Sequence, residues 1–222
     1  MTETLSEVLL PPVISVSGPR GSGRTTLYQE LEPLFAERFP QHTFAFLGNP
    51  FGGTIPHPLL QNRGEWHLRP YPAIYKGWAA LAKFCEDLLC PALADGKVVV
   101  TDGFGLDVYL NAMASCLNDM ERVRTAKLHH DNVRSLMEAG IVIPPHYIIP
   151  SAPQPEAICA HLNHGNVDNV VEFVRTECNR LNDYFLGTGQ RTPLILPENI
   201  VGRERREMIV AYAAPLIYRK AA

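Results

Sequence analysis

The sequence predicts an α/β fold: a five-stranded parallel sheet flanked by helices on both faces. Three observations predict it. Strand-like runs alternate with helical patterns along the chain, the order that builds a parallel sheet. Several runs, Val13-Ile14-Ser15-Val16-Ser17 and Lys97-Val98-Val99-Val100-Thr101 among them, are too continuously apolar to keep one face in water. They read as strands covered on both sides. Between the first strand and the first helix lies a glycine-rich turn, Gly18-Pro19-Arg20-Gly21-Ser22-Gly23-Arg24-Thr25-Thr26.

The elements follow in order. The first strand starts at Val13, after Leu9-Leu10-Pro11-Pro12. A helix from Arg24 to about Arg38 repeats Leu27, Leu31, Leu34 and Phe35 at helical spacing, with Pro33 marking a kink or an early end. His42 to Leu47 is a second strand, rich in residues that suit a pleated surface. It stops at Gly48-Asn49-Pro50-Phe51-Gly52-Gly53-Thr54, a loop that glycine and proline keep irregular. A polar, aromatic stretch with Arg63, Trp66, His67, Arg69 and Tyr71 leads into a helix from about Tyr75 to Leu93. Asp95-Gly96 closes that helix, and the strand from Lys97 ends at Asp102-Gly103-Phe104. Helices are expected over Asp107–Asn118 and Glu121–Glu138, then a strand at His146–Ile149. Glu156–Leu162 and Val167–Phe185 read as helices, Leu194–Leu196 as the fifth strand, and Arg203–Tyr218 as a closing helix.

Composition bounds the rest. A chain of 222 residues that is 46% hydrophobic can bury one full core, so residues 1–222 read as a single domain. A formal net charge of -3 gives no argument for nonspecific nucleic-acid binding. The five cysteines are dispersed with no CxxC pair, which points to reduced thiols and away from zinc. Met1 to Glu7 lacks the pattern of a signal peptide, and no apolar run reaches the length of a bilayer span. The expectation is a soluble, cytoplasmic protein with no membrane partner.

The chemistry concentrates at strand ends. The turn from Gly18 has the spacing of a Walker A loop, with Arg24 where lysine normally stands. Its glycines let successive amides point at one anion, and the following helix adds its positive end. Gly18, Gly21, Ser22, Gly23, Arg24, Thr25 and Thr26 are the expected phosphate-binding set, with Arg24 donating to phosphate oxygens. Thr25 is placed to ligate magnesium, and Asp102, at the end of a buried strand, to orient it. The alternative for Asp102 is a helix N-cap. Phe104, Trp66 and Tyr71 could stack on a base or simply belong to the core. His129 and His130 are adjacent on a helix and so face different sides, which argues against a shared metal. Arg203-Glu204-Arg205-Arg206-Glu207 reads as a solvated face with internal ion pairs.

This order of parts resembles the thymidylate kinase family. The resemblance rests on the Walker-like loop, Pro50-Phe51-Gly52-Gly53-Thr54 after the second strand, and the block from Cys90 to Asp102. Glu172-Phe173-Val174-Arg175, with Tyr184 downstream, looks like the helix after the family's lid. The resemblance implies a P-loop kinase fold, ATP and Mg2+ as cofactors, γ-phosphoryl transfer to dTMP, a lid near residues 161–169, and often a homodimer. The departures are as patterned as the matches. Ser17 replaces a glutamate, Arg24 a lysine, and Gly48-Asn49-Pro50 an Arg-Glu-Pro whose arginine meets the acceptor phosphate. Gly103 removes a second arginine, the base-reading arginine falls on Leu81, and His161 to Asn169 holds no arginine or lysine. Phosphoryl transfer relies on such cations. Arg20, inside the loop, is the expected replacement for a lid arginine, and Arg63, Arg69 and Lys76 for the acceptor contacts. Arg63 and Arg69 could equally be solvated loop residues, and Lys76 a snorkelling surface residue.

The expected function is an ATP- and magnesium-dependent kinase acting on a pyrimidine deoxynucleotide. Arg24, Asp102 and Arg20 are its catalytic residues, and Asn49, Pro50, Phe51, Arg69, Lys76 and Phe104 its acceptor site. Two alternatives stay open. One is the same chemistry on a nucleoside or on a modified base in a nucleic acid, and the other is a nucleotide-binding protein without turnover.

Overall fold

The computed structural model describes residues 11–19, 21–51, 70–114, 116, 118–150, 175–176, 180, 184–185 and 193–218, with side chains from residue 74 in the helix that begins at 70. Five strands form one sheet: β1 (Val13–Val16), β2 (Phe44–Leu47), β3 (Val98–Asp102), β4 (His146–Pro150) and β5 (Leu194–Leu196). Their order is β2-β3-β1-β4-β5, and every pairing is parallel. The helices are α1 (Arg24–Arg38), α2 (Pro70–Phe84), α3 (Cys90–Ala94), α4 (Gly105–Ala114), α5 (Asp119–Glu138) and α6 (Gly202–Ile217). Among the described residues no helix is long and apolar enough to cross a membrane.

The sheet is buried on both faces because its strands alternate between two cores. Ile14, Val16, Val98, Val100 and Ile148 pack with Leu27, Leu31 and Phe35 of α1 and Ile209 and Ala213 of α6. Val13, Val99, Tyr147 and Ile149 point the other way, onto Trp78 and Leu81 of α2, Leu106 and Tyr109 of α4, and Val133 of α5. Fully burying an aliphatic or aromatic side chain contributes about 1.5–3 kcal/mol relative to leaving it exposed. Leu81, where the resemblance would place a base-reading arginine, is fully buried in this second core.

Several boundaries shift for local reasons. The α1 helix runs through Pro33 to Arg38, so the proline does not end it, and its side chain is exposed. The helix expected from Tyr75 to Leu93 begins at Pro70 and continues to Ala94 through a π-helical turn, Cys85–Leu89. Proline is tolerated in a helix's first turn. The widened turn, with the Cys90 N–H donating to the Cys85 carbonyl, falls directly before Pro91. It accommodates a residue that has no N–H to give and a ring that crowds the preceding turn. Asn118 is the N-cap of α5 rather than the end of α4, its Oδ1 accepting from the Glu121 N–H at 2.9 Å. The charged segment of α6 does not pair only within itself. Arg205 pairs with Glu30, and Glu207 with Arg38 at 2.7 Å, so both tie α6 to α1. The expected lid at 161–169 lies outside the described residues.

Candidate functional site

The carboxyl ends of β1 and β3 meet at the centre of the sheet, where the chain's crossovers diverge. In open parallel sheets that crevice is where ligands bind. The Ser17 N–H donates to the Ile148 carbonyl at 3.1 Å, and the Gly103 N–H to the Val16 carbonyl at 2.8 Å. The ladder is thus held up to the residue where the loop departs.

The loop needs its glycines. Gly21 (φ 73°) and Gly23 (φ 82°) are left-handed, a region that side chains disfavour. At Gly18 (φ 145°) a Cβ would come within 3.1 Å of Ile149 Cγ2. Gly23 is the N-cap of α1 and supplies no side chain to its first amides, and no acidic residue stands in the first turn. That end of the helix therefore keeps its positive character. Ser22 is buried in the loop, with its Oγ unpartnered among the described residues.

Two adjacent residues at the start of α1 reach two carboxylates. Thr25 Oγ1 donates to Asp102 Oδ2 at 3.0 Å. Asp102 is 7% exposed, and its Oδ1 is buried without a partner among the described residues. No basic side chain pairs with it in that set. Burial, followed by the Asp102 and Glu32 charges, pushes the Tyr28 hydroxyl up to about 12. A buried carboxylate with an unused oxygen beside a threonine hydroxyl is a donor set that fits a hard divalent cation.

Arg24 is arranged differently. Its guanidinium forms an ion pair with Asp107 in the first turn of α4. Asp107 Oδ2 also accepts from Ser17 Oγ and from the Phe104 N–H, each at 2.8 Å. Ser15 and Ser17 hydroxyls lie 2.8 Å apart behind it. The sequence reading missed Asp107. Its signal was available, because an acidic residue at the third helical position, reaching back to the N-cap amide, is half of a capping box.

The other expected residues separate into groups. Phe51 and Phe104 are 8% and 1% exposed and belong to the second core, so their rings are packed against protein. Asn49 is exposed, but its Oδ1 accepts from the Phe51 N–H at 2.8 Å, an Asx turn that shapes its own loop, with Pro50 between them. Lys76 is exposed on α2, as a surface residue would be. Arg20, Arg63 and Arg69 lie outside the described residues. The rings of His129 and His130 are 5.8 Å apart, with His129 fully buried and accepting from Trp78 Nε1 at 3.3 Å.

A cleft of about 240 Å³ opens on the β4–β5 side of the loop. Gly21, Ser22 and Gly23 form one wall. Pro150, Leu196, Pro197, Ile200 and Val201 form a largely apolar opposite wall, with Glu198 and Arg205 as its charged members.

No family model and no curated protein matches the sequence. The fold does match. A thymidylate kinase from Ehrlichia chaffeensis aligns over 91% of this chain and 98% of its own, with a TM-score of 0.59 at 14% identity. The architecture is a P-loop kinase fold. At that identity the likeness speaks for the path of the chain, and the chemistry must be argued from the side chains.

Proposed function

We propose that this chain is a phosphotransferase that holds Mg-ATP on the loop from Gly18 to Thr26 and passes the γ-phosphoryl group to a pyrimidine deoxynucleotide of the dTMP type. One observation carries the reading. The Thr25 hydroxyl and the Asp102 carboxylate meet at 3.0 Å beside the glycine loop, with one buried Asp102 oxygen left over. The loop amides and the open end of α1 would take the triphosphate, and Thr25 with Asp102 would hold magnesium. Magnesium, when bound, draws off charge that builds on the β- and γ-phosphate oxygens. The apolar cleft on the β4–β5 side would receive the donor's base. The likeness to a thymidylate kinase supports a nucleotide acceptor, lying on the opposite, β2–β3 side.

The test is a coupled ADP-release assay with dTMP, other mononucleotides, thymidine and oligonucleotides carrying modified pyrimidines. Magnesium-dependent release with a pyrimidine deoxynucleotide is the expected result. Transfer confined to thymidine or to oligonucleotides would move the acceptor to another class. An ATP analogue that binds with no release for any acceptor would leave a nucleotide-binding protein without transfer.

A further inference from the structure

The P-loop arginine faces away from the donor cleft. The sheet order is β2-β3-β1-β4-β5, and the loop rises from the central strand β1. The cleft occupies the β4–β5 side. Arg24 crosses to the other side, over β3, to reach Asp107 on α4. Gly103 marks where it passes, because a Cβ there would lie 3.9 Å from the nearer guanidinium nitrogen and 3.2 Å from Asp107 Oδ2. Gly103 also holds φ 96°, a conformation that other residues adopt at a cost. The space over residue 103 is therefore given to the Arg24–Asp107 pair. Asp107 is the fixed member, clamped by Ser17 Oγ and the Phe104 amide and only 10% exposed. Arg24, 21% exposed, is the member that solvent or a ligand can reach.

Building on the phosphotransferase reading above, we infer that Arg24 serves the acceptor side: its guanidinium takes the anionic phosphate of a mononucleotide acceptor, and Asp107 is the positioning residue that aims it there. The planar guanidinium suits this task. It can keep one edge on a carboxylate while another edge donates to phosphate oxygens, which a lysine ammonium does less well. The assignment reverses the expectation that Arg24 clasps the donor's β- and γ-phosphates. It also supplies a cation on the side of the site where Asn49 and Gly103 provide none. The acceptor class that follows is a phosphate-bearing nucleotide, rather than a nucleoside or a bare hydroxyl.

Calorimetry on the full chain separates the two sides. Wild type, Arg24→Gln, Asp107→Asn and Arg24→Lys are each titrated with Mg-AMP-PNP, dTMP and thymidine. A charge-assisted contact to phosphate corresponds to a preference of about 10–100-fold, so wild type is expected to bind dTMP that much more tightly than thymidine. Arg24→Gln abolishes that preference, while its affinity for Mg-AMP-PNP stays within about threefold, below the effect of one such contact. Asp107→Asn weakens dTMP with little change for thymidine, which loss of packing alone would not produce. Arg24→Lys restores only part of the preference. The inference is overturned if Arg24→Gln loses Mg-AMP-PNP affinity while keeping the dTMP preference, or if wild type shows no such preference. Failure of wild type to bind Mg-AMP-PNP at all would instead defeat the phosphotransferase reading beneath it.

Discussion

Arg24 and Thr25 are neighbours in sequence, and each bonds a carboxylate from the far side of the sheet's end, but the two pairs are built to opposite specifications. Among the described residues, Asp102 meets a neutral hydroxyl and keeps a buried oxygen unused. Asp107 meets a guanidinium, a serine hydroxyl and a backbone amide. A buried carboxylate without a counter-charge is costly to the fold, whereas a well-bonded one holds elements together. Under the proposed function, the difference suits Asp102 to a ligand and Asp107 to holding Arg24 in place. Mutations at the two aspartates should therefore move stability in opposite directions.

Asp102→Asn is the sharpest way to break the comparison. Transfer should fall by roughly 10²–10³-fold, the scale seen when one preorganised electrostatic group is removed. Stability in urea should stay level or rise by up to about 1 kcal/mol, because a buried charge that no described basic side chain pairs is gone. A clear loss of stability with activity retained would show Asp102 to be the structural member instead. The measurements are ADP release and a denaturation curve on the same preparation.

The fold was legible because both faces of the sheet are covered, and runs such as Val98-Val99-Val100 then have no other reading. The meeting of Thr25 with Asp102 follows from the same topology, since Asp102 ends β3 and Thr25 opens the helix that follows the loop from the neighbouring strand. Arg24's direction was not legible. A long side chain can reach either side of its loop, and its partner lies in a helix that sequence spacing does not bring near. Phe51 and Phe104 read in sequence as acceptor-site residues, yet the space under α2 and α4 takes both rings. A periodic pattern reports which face of a helix is apolar, but it does not say which loop aromatic will fill the gap between two helices.

Asp107→Ala should produce the next largest effect, a loss of about 2–3 kcal/mol, since three bonds to the carboxylate go at once and Arg24 is only partly solvated. The check is the urea midpoint at unchanged slope. An unchanged midpoint would mean that the pair contributes nothing to the fold and that the contrast with Asp102 is not one of architecture. Gly103→Ala should cost less, about 1–2 kcal/mol, combining an unfavourable φ of 96° with the 3.2 Å approach to Asp107. Its melting temperature should fall while thermal stability of Gly48→Ala, with nothing within 4 Å of the added carbon, stays near wild type.

The two carboxylates are compared at one pH, because a buried histidine makes the fold itself sensitive to acid. His129 is fully buried among Trp78, Tyr109 and Tyr184, next to the helix that carries Asp107. Burial, and after it the His130 charge, hold its imidazole well below the ordinary value. The unfolded chain then binds a proton near the ordinary histidine value of about 6.5 that the folded chain refuses. The stability tied to His129 is therefore present above about pH 6.5 and falls as pH drops below it, by about 1.4 kcal/mol per pH unit. His129→Phe should flatten that slope, leaving a shallower one from the half-buried His130, whose proton affinity burial also lowers. If denaturation curves between pH 7 and pH 5 keep their full slope in His129→Phe, the acid sensitivity belongs to other groups.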